Sequence, residues 1–222
     1  MNGDGGAGGC GHTREQNMEL RPAAIQDIPL ISRIHAASWK TAYQGMIPQA
    51  YLDTLPKDYW VEPFSKWFQC GELEAIIAWE GDAPVGCISF GKPVAADGMG
   101  EQALPLGYGE VRSLYIHPDH MRRGYGKALL LAAELTLRIR GFSHSSLYVL
   151  EQNLNARAFY EKNGYVWDGT VASYTILDQP LAELRYTKSL ACPCPRRCKT
   201  HGDCMACKEK HGKKKYPCYC LR

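Results

Sequence analysis

The stretch from Glu110 to Leu131, EVRSLYIHPDHMRRGYGKALLL, leaves this chain fewer folding options than any other. Val111, Leu114 and Ile116 are apolar among polar neighbours, as in a strand that stops at His117-Pro118-Asp119. A basic loop follows, Met121-Arg122-Arg123-Gly124-Tyr125-Gly126, and an apolar helical run opens at Lys127-Ala128-Leu129-Leu130-Leu131. Strand, glycine-bearing loop and helix start together make an anion site. The first amides of a helix lack internal partners, and the helix dipole puts partial positive charge at the same place. Gly124 and Gly126 let the backbone approach a phosphate with no Cβ in the way. Arg122, Arg123 and Lys127 add full charges.

Two phosphate loops do not fit this pattern. A Walker A loop needs a glycine five residues before its Gly-Lys pair and Ser or Thr after it, where this chain has Met121 and Ala128. A dinucleotide fingerprint needs a third glycine, but position 129 is Leu. The third pattern, Gln/Arg-x-x-Gly-x-Gly/Ala, matches in its glycines, with Met121 at the usual Gln or Arg position. Here the sequence resembles the GNAT superfamily of N-acetyltransferases, which hold the pyrophosphate of acetyl-CoA on this loop through main-chain amides.

About 30 residues on, Asn153-x-x-Ala156-x-x-Phe159-Tyr160-Glu161-Lys162-x-Gly164-Tyr165 matches a second pattern of that family. Earlier, Ser38-Trp39, Ala42-Tyr43-x-Gly45-x-Ile47-Pro48 and Tyr51-Leu52 look like the opening of one large branch of it. The resemblance covers about residues 18–188. It implies an α/β fold, a mixed and mostly antiparallel sheet flanked by helices. It also implies acetyl-CoA as cosubstrate, bound by Met121, Arg122, Arg123, Gly124, Tyr125, Gly126, Lys127 and Asn153. A bulge in the central strand would free an amide around Leu114, Tyr115 and Ile116 for the thioester oxygen. Tyr160 would serve as general acid for the departing thiolate, and Trp39 and Tyr43 would border the acceptor. The alternatives read from the residues are core packing for these aromatics and a turn role for Asn153.

The rest of the chain agrees with such a sheet. Met18–Arg21 reads as a strand, and Asp27 and Pro29 open a helix carrying Ile28, Ile31, Ile34 and His35. Glu74–Trp79 and Val85–Phe90 alternate around Gly81-Asp82 as a hairpin, and Ala95–Leu106 is a loop. The helix from Lys127 ends at Gly141, Ser146–Leu150 is a strand, and a helix over Ala156–Lys162 stops at Asn163-Gly164. Tyr165–Trp167 and Leu181–Lys188 close the sheet as a hairpin. His117 and His120 are read as turn residues.

Acetylating an alkyl amine requires its free base. At pKa about 10.4 only about one molecule in 2,500 is neutral at pH 7, so the proton costs about 4.6 kcal/mol. Glu110, at the start of the central strand, is the candidate base through water, with a solvated strand-end carboxylate as the alternative. Polyamines, small amine metabolites or antibiotics, and protein N-termini all stay open as acceptors.

Charge and cysteine divide the chain. Up to residue 188 there are 17 Lys/Arg and 21 Asp/Glu; from 189 on there are 9 and 2. Residues 1–17 are a glycine-rich, flexible leader, 18–189 the catalytic domain, and 190–222 a cysteine-rich module. The last has too few apolar residues for a core, so its order is expected from a metal, with a reduced or disordered tail, disulfides or an iron–sulfur cluster as the alternatives. Cys192, Cys194, Cys198, His201, Cys204, Cys207, His211, Cys218 and Cys220 are the candidate zinc ligands, with Cys204-x-x-Cys207 at knuckle spacing. No recognition helix appears, so a nucleic-acid partner is not predicted; a homodimer is compatible with the sequence. No membrane span or secretion signal is evident, and cytoplasm is the expectation. The reading from another class is a catalytically silent CoA sensor whose basic tail docks a partner or nucleic acid.

Overall fold

Seven strands of the computed structural model, which describes residues 18–93, 104–191, 199–200 and 204–212, join in one sheet. In chain order they are β1 (Met18–Pro22), β2 (Leu73–Glu80), β3 (Ala83–Gly91), β4 (Tyr108–Ile116), β5 (His144–Leu150), β6 (Val166–Ile176) and β7 (Gln179–Ser189). The spatial order is β1-β2-β3-β4-β5-β7-β6, and β4–β5 is the parallel pair among antiparallel neighbours. The mixed sheet expected from the sequence is therefore present. The leader and most of the 95–106 loop lie outside the described residues.

Helices cover both faces. α1 (Ile28–Ala42), α2 (Gln49–Thr54) and α3 (Val61–Gln69) lie on one side; α4 (Tyr125–Ile139) and α5 (Leu154–Lys162) lie on the other. α4 buries Tyr125, Leu129, Leu130, Ala133 and Leu137, spaced to fall on one stripe of a 3.6-residue repeat. Each large side chain of that stripe contributes about 1.5–3 kcal/mol by leaving water.

Two boundaries differ from the sequence reading. Asp27 does not cap α1 with its side chain; its Oδ2 accepts the Ala24 N–H at 2.8 Å, closing a short 3₁₀ turn before the helix. β6 runs on to Ile176 rather than stopping at Trp167, because a bulge between Trp167 and Val171 lets the strand rejoin β7. The alternation after Gly169 belongs to a largely exposed edge, where periodicity is weak.

On the α4 side, Lys188 Nζ donates to both Glu134 oxygens at 2.7–2.8 Å, and Glu134 is buried. Breaking such a pair leaves a charge without compensation, whereas replacing both partners need not. Glu134→Ala is expected to lower stability by about 3 kcal/mol, and Glu134→Leu with Lys188→Met to recover most of it. Urea unfolding of the three proteins measures this; a double variant no better than the single one contradicts it.

Candidate active site

The pairing of β4 with β5 is short. It runs from Tyr108–His144 to Glu110–Ser146, and β4 then leaves its neighbour while β5 stays bonded to β7 as far as Leu150. The other edge of β4 remains paired with β3 through Ile116, and the His117 N–H donates to Val85 O at 2.8 Å. Backbone groups alternate along a strand, so those of Ile116 and Leu114 point away from β3 and into the gap. Ser38 Oγ donates to the Ile116 carbonyl at 3.4 Å.

The bulge falls at Arg112, between Val111 (opposite Phe90) and Ser113 (opposite Ser89), just before the Leu114–Ile116 segment nominated for the free amide. The Arg112 guanidinium lies 4.9 Å from the Trp67 ring and donates to the Lys92 and Glu72 carbonyls at 2.7 and 3.2 Å. The extra residue shifts the alternation, so Glu110 and Tyr115 share the α1 face while Leu114 and Ile116 pack on the α4 side.

At the mouth of the gap, Pro118–His120 form one 3₁₀ turn and the chain reaches α4 through Arg122 and Gly124, both at positive φ (62° and 89°). Gly124 is the residue before the helix; a left-handed conformation there suits glycine. Met121, Arg122 and Lys127 are exposed, leaving the amides of the first α4 turn accessible from outside. Glu80 Oε2 lies 2.8 Å from His120 Nδ1 and 3.2 Å from Arg123 Nη1, so the histidine and one arginine tether the loop to β2. The Tyr125 side chain points into the core at 1% exposure, which leaves only its backbone for a ligand. A Cβ on Gly126 would lie 3.6 Å from Phe159 and 3.8 Å from Ile116, ordinary contact distances, so packing inside the protein does not demand glycine there.

Tyrosines meet around the gap. Trp39 Nε1 donates to Tyr115 Oη at 2.8 Å, and the Tyr43 and Tyr115 hydroxyls are 3.0 Å apart. Burial pushes the Tyr43 hydroxyl up to about 12 and raises Tyr115 well above its ordinary value. Tyr160 reaches the same region from α5, against Phe159 and Tyr165. Burial raises its hydroxyl first, and the nearby Tyr43 adds to the effect, so Tyr160 stays protonated. Asn153 caps α5, its Oδ1 accepting the Ala156 N–H at 3.1 Å, which leaves its amide end for other partners. The turn role weighed from the sequence is thus present in Asn153, and the core role in part of Tyr160.

One carboxylate went unnoticed in the sequence. Glu183 stands on β7, opposite Leu150 of β5 and Ala172 of β6, on the face shared with Tyr148 and Arg185. Burial, then the charge of Glu110, pushes its carboxyl up to about 7. Its charge in turn bears on Tyr43 and Tyr174. Arg185 could have neutralised it but is held by Asp168 at 2.7 Å. The sequence signal was faint: Leu181-Ala-Glu183-Leu-Arg185 has no clean alternation to mark one face as a cleft.

In the tail, the described residues are 199–200 and α6 (Cys204–Gly212), a helix that carries the Cys204-x-x-Cys207 spacing. Among the described residues no group of His, Cys, Asp or Glu is placed to hold a metal. Cys192, Cys194, Cys198, His201, Cys218 and Cys220 lie outside the described residues. No described helix is long and apolar enough to cross a membrane.

Comparison with known proteins gives a consistent result. A family model described as "Acetyltransferase (GNAT) family" matches residues 39–165. An uncharacterised N-acetyltransferase of Bacillus subtilis, YuaI, is 32% identical over 112 residues, half of this chain and 59% of that protein. The spermidine N(1)-acetyltransferase of Thermoplasma acidophilum is 25% identical over 122 residues, 55% of this chain and 71% of that protein. The chain thus spans roughly three fifths to seven tenths of these relatives. Among solved structures, the PaiA N-acetyltransferase of Thermoplasma acidophilum with coenzyme A superposes with a TM-score of 0.59 at 21% identity, over 78% of this chain and 98% of that one. YncA of Salmonella typhimurium with acetyl-CoA gives the same score and identity over 82% and 99%.

The raised Glu183 carboxyl has a consequence for stability. Between the ordinary value of 4.5 and about 7, the folded chain holds a proton that the unfolded chain has lost. Stability from this group therefore falls as pH rises through that window, and the penalty is complete above it. Glu183→Gln removes the penalty, so its stability relative to the parent should increase between pH 5 and pH 8, by up to ~3 kcal/mol. Denaturant melts at the two pH values test this; an equal difference at both would contradict it.

Proposed function

Since this chain belongs to the acetyltransferase (GNAT) family, we propose that it moves the acetyl group of acetyl-CoA to the nitrogen of a primary amine. The observation that carries this reading is the gap between β4 and β5, with accessible α4 amides at its mouth and tyrosine hydroxyls around it. The residues suit the ligand. Left-handed Gly124, the backbone of Gly126 and the exposed Arg122 and Lys127 make a seat for a diphosphate. The Leu114 and Ile116 backbone groups that leave β3 supply partners for an extended amide-bearing arm, and the Asn153 amide end supplies another.

Acetyl-CoA supplies an activated acyl thioester. The protein supplies position and proton handling. Tyr160, kept protonated by burial, donates to the departing sulfur. Glu110 takes part on the acceptor side, and Trp39 and Tyr43, locked together through Tyr115, form the wall against which the acceptor rests. The acceptor is a small-molecule or peptide amine; the spermidine-acetylating relative directs the first screen to polyamines. For the tail, the density of cysteine and histidine after residue 191 supports a zinc site. Metal analysis of full-length and tail-deleted protein tests that part.

Tyr160→Phe is expected to lower kcat by roughly 10²-fold, with acetyl-CoA affinity unchanged by calorimetry. Equal turnover in both proteins would remove Tyr160 from the acid role. Gly126→Asp should weaken acetyl-CoA binding by about tenfold or more, because a carboxylate opposes the diphosphate beside the helix start. An unaltered dissociation constant would mean that the loop is not the phosphate seat.

A further inference from the structure

We propose that Glu183 is the residue that receives the acceptor: its carboxylate binds the incoming ammonium group and takes up a proton before nitrogen attacks. This rests on the transferase reading and adds a catalytic residue to it. Three observations converge. First, strand register places Glu183 on the α1 face, opposite Leu150 and next to Leu181, the two sheet residues that floor the cluster containing Trp39, Tyr43, Tyr51 and Tyr174. An acid at the edge of an aromatic wall suits a cation, which gains from ring faces as well as from the charge.

Second, among the described residues no Lys, Arg or His forms an ion pair with Glu183. Each element around it presents either a like charge or a neutral hydroxyl. These are Glu110 from β4, Tyr148 from β5, Tyr43 from the end of α1 and Tyr174 from β6, with Tyr51 of α2 beside Tyr174; Asp168 on β6 is matched to Arg185. A half-buried acid in such surroundings lacks a positive partner, and an ammonium supplies one. Third, Tyr43 connects the two ends of the reaction. It lies close enough to Glu183 to feel that carboxylate, and close enough to Tyr160 to raise that hydroxyl.

The chemistry balances. The ammonium gives one proton to a Glu183 oxygen, the free amine forms the C–N bond, and the C–S bond breaks. The sulfur takes the Tyr160 proton, and the second proton lost by nitrogen replaces it. The products are the amide, the thiol and a protonated Glu183. A carboxyl whose affinity for protons is near neutral is matched to that exchange, whereas an ordinary carboxylate would hold the proton too weakly.

The test compares wild type with Glu183→Gln, using spermidine, 1,4-diaminobutane and glycylglycine as probes. Retained acetyl-CoA affinity by calorimetry checks the fold of the variant. kcat/KM for the amine should fall by roughly 10²–10⁴-fold, and the rise of rate with pH near neutrality should disappear. In wild type labelled with carbon-13 at glutamate carboxyls, the resonance missing from Glu183→Gln should titrate near 7 without cofactor. Adding a bound amine should move that midpoint down by about one unit, since an adjacent cation favours the carboxylate. Rates within about threefold of wild type with an unchanged pH limb would overturn the proposal, as would a smaller loss that leaves the limb in place. A midpoint unmoved by all three amines, or acetyl-CoA binding with none of them acetylated, also overturns it. Failure to bind acetyl-CoA at all sinks the transferase reading instead.

Discussion

Everything here depends on two neighbouring strands that stop bonding. β4 and β5 share three residue pairs and then diverge, although β5 remains a full member of the sheet through β7. A buried backbone group without a partner costs about 1–3 kcal/mol, so a gap of this kind persists only where water or a ligand completes it. The fold meets that cost by anchoring β4 elsewhere. β3 binds its other edge to the last residue, Leu114 and Ile116 pack into the α4-side core, and Ser38 satisfies part of the Ile116 carbonyl. What remains is a slot with backbone donors along one wall and a helix start at its mouth.

The α1 face adds rigidity by an unusual route. His35 is 2% exposed, and its ring touches Trp60, Phe64 and Tyr115 edge-on, with centroids 4.6–5.2 Å apart. Neither ring nitrogen has a hydrogen-bond partner among the described residues, and burial lowers its pKa to about 3. The histidine therefore behaves as a neutral aromatic block at any ordinary pH. Its packing fixes Tyr115, whose hydroxyl in turn holds Trp39 and Tyr43. The position of two candidate acceptor-wall residues thus traces to a buried side chain.

The parts of the site that the sequence made legible are those set by local covalent demands. A left-handed residue before a helix asks for Gly124, an N-cap asks for Asn153, and a helix stop asks for Gly164; each can be read within a few residues of itself. Long-range packing was not legible. Nothing around Arg112 announces that it is the bulged residue, because the reason lies in Trp67 and in the carbonyls of Glu72 and Lys92. Tyr125 sat inside the loop motif and so read as a ligand contact, while the pattern of α4 sends its ring to the core. Glu183 could be weighed only once β7 was known to lie between β5 and β6.

That last residue also explains why the cleft is a poor place for the free protein and a good one for an acceptor. Glu110 and Glu183 repel each other across a partly dry face, and the cation nearest to Glu183 on its own strand is committed to Asp168. Filling this face with a lysine would stabilise the fold, but it would also occupy the position of the missing counter-charge. A protein that leaves the charge uncompensated keeps the same free energy available for a ligand that brings its own. An ammonium arriving there is stabilised as it binds; once its proton has moved to a carboxyl, that attraction ends and the amine is released toward the thioester. The cleft need not hold its acceptor tightly. It holds the protonated form and favours its conversion.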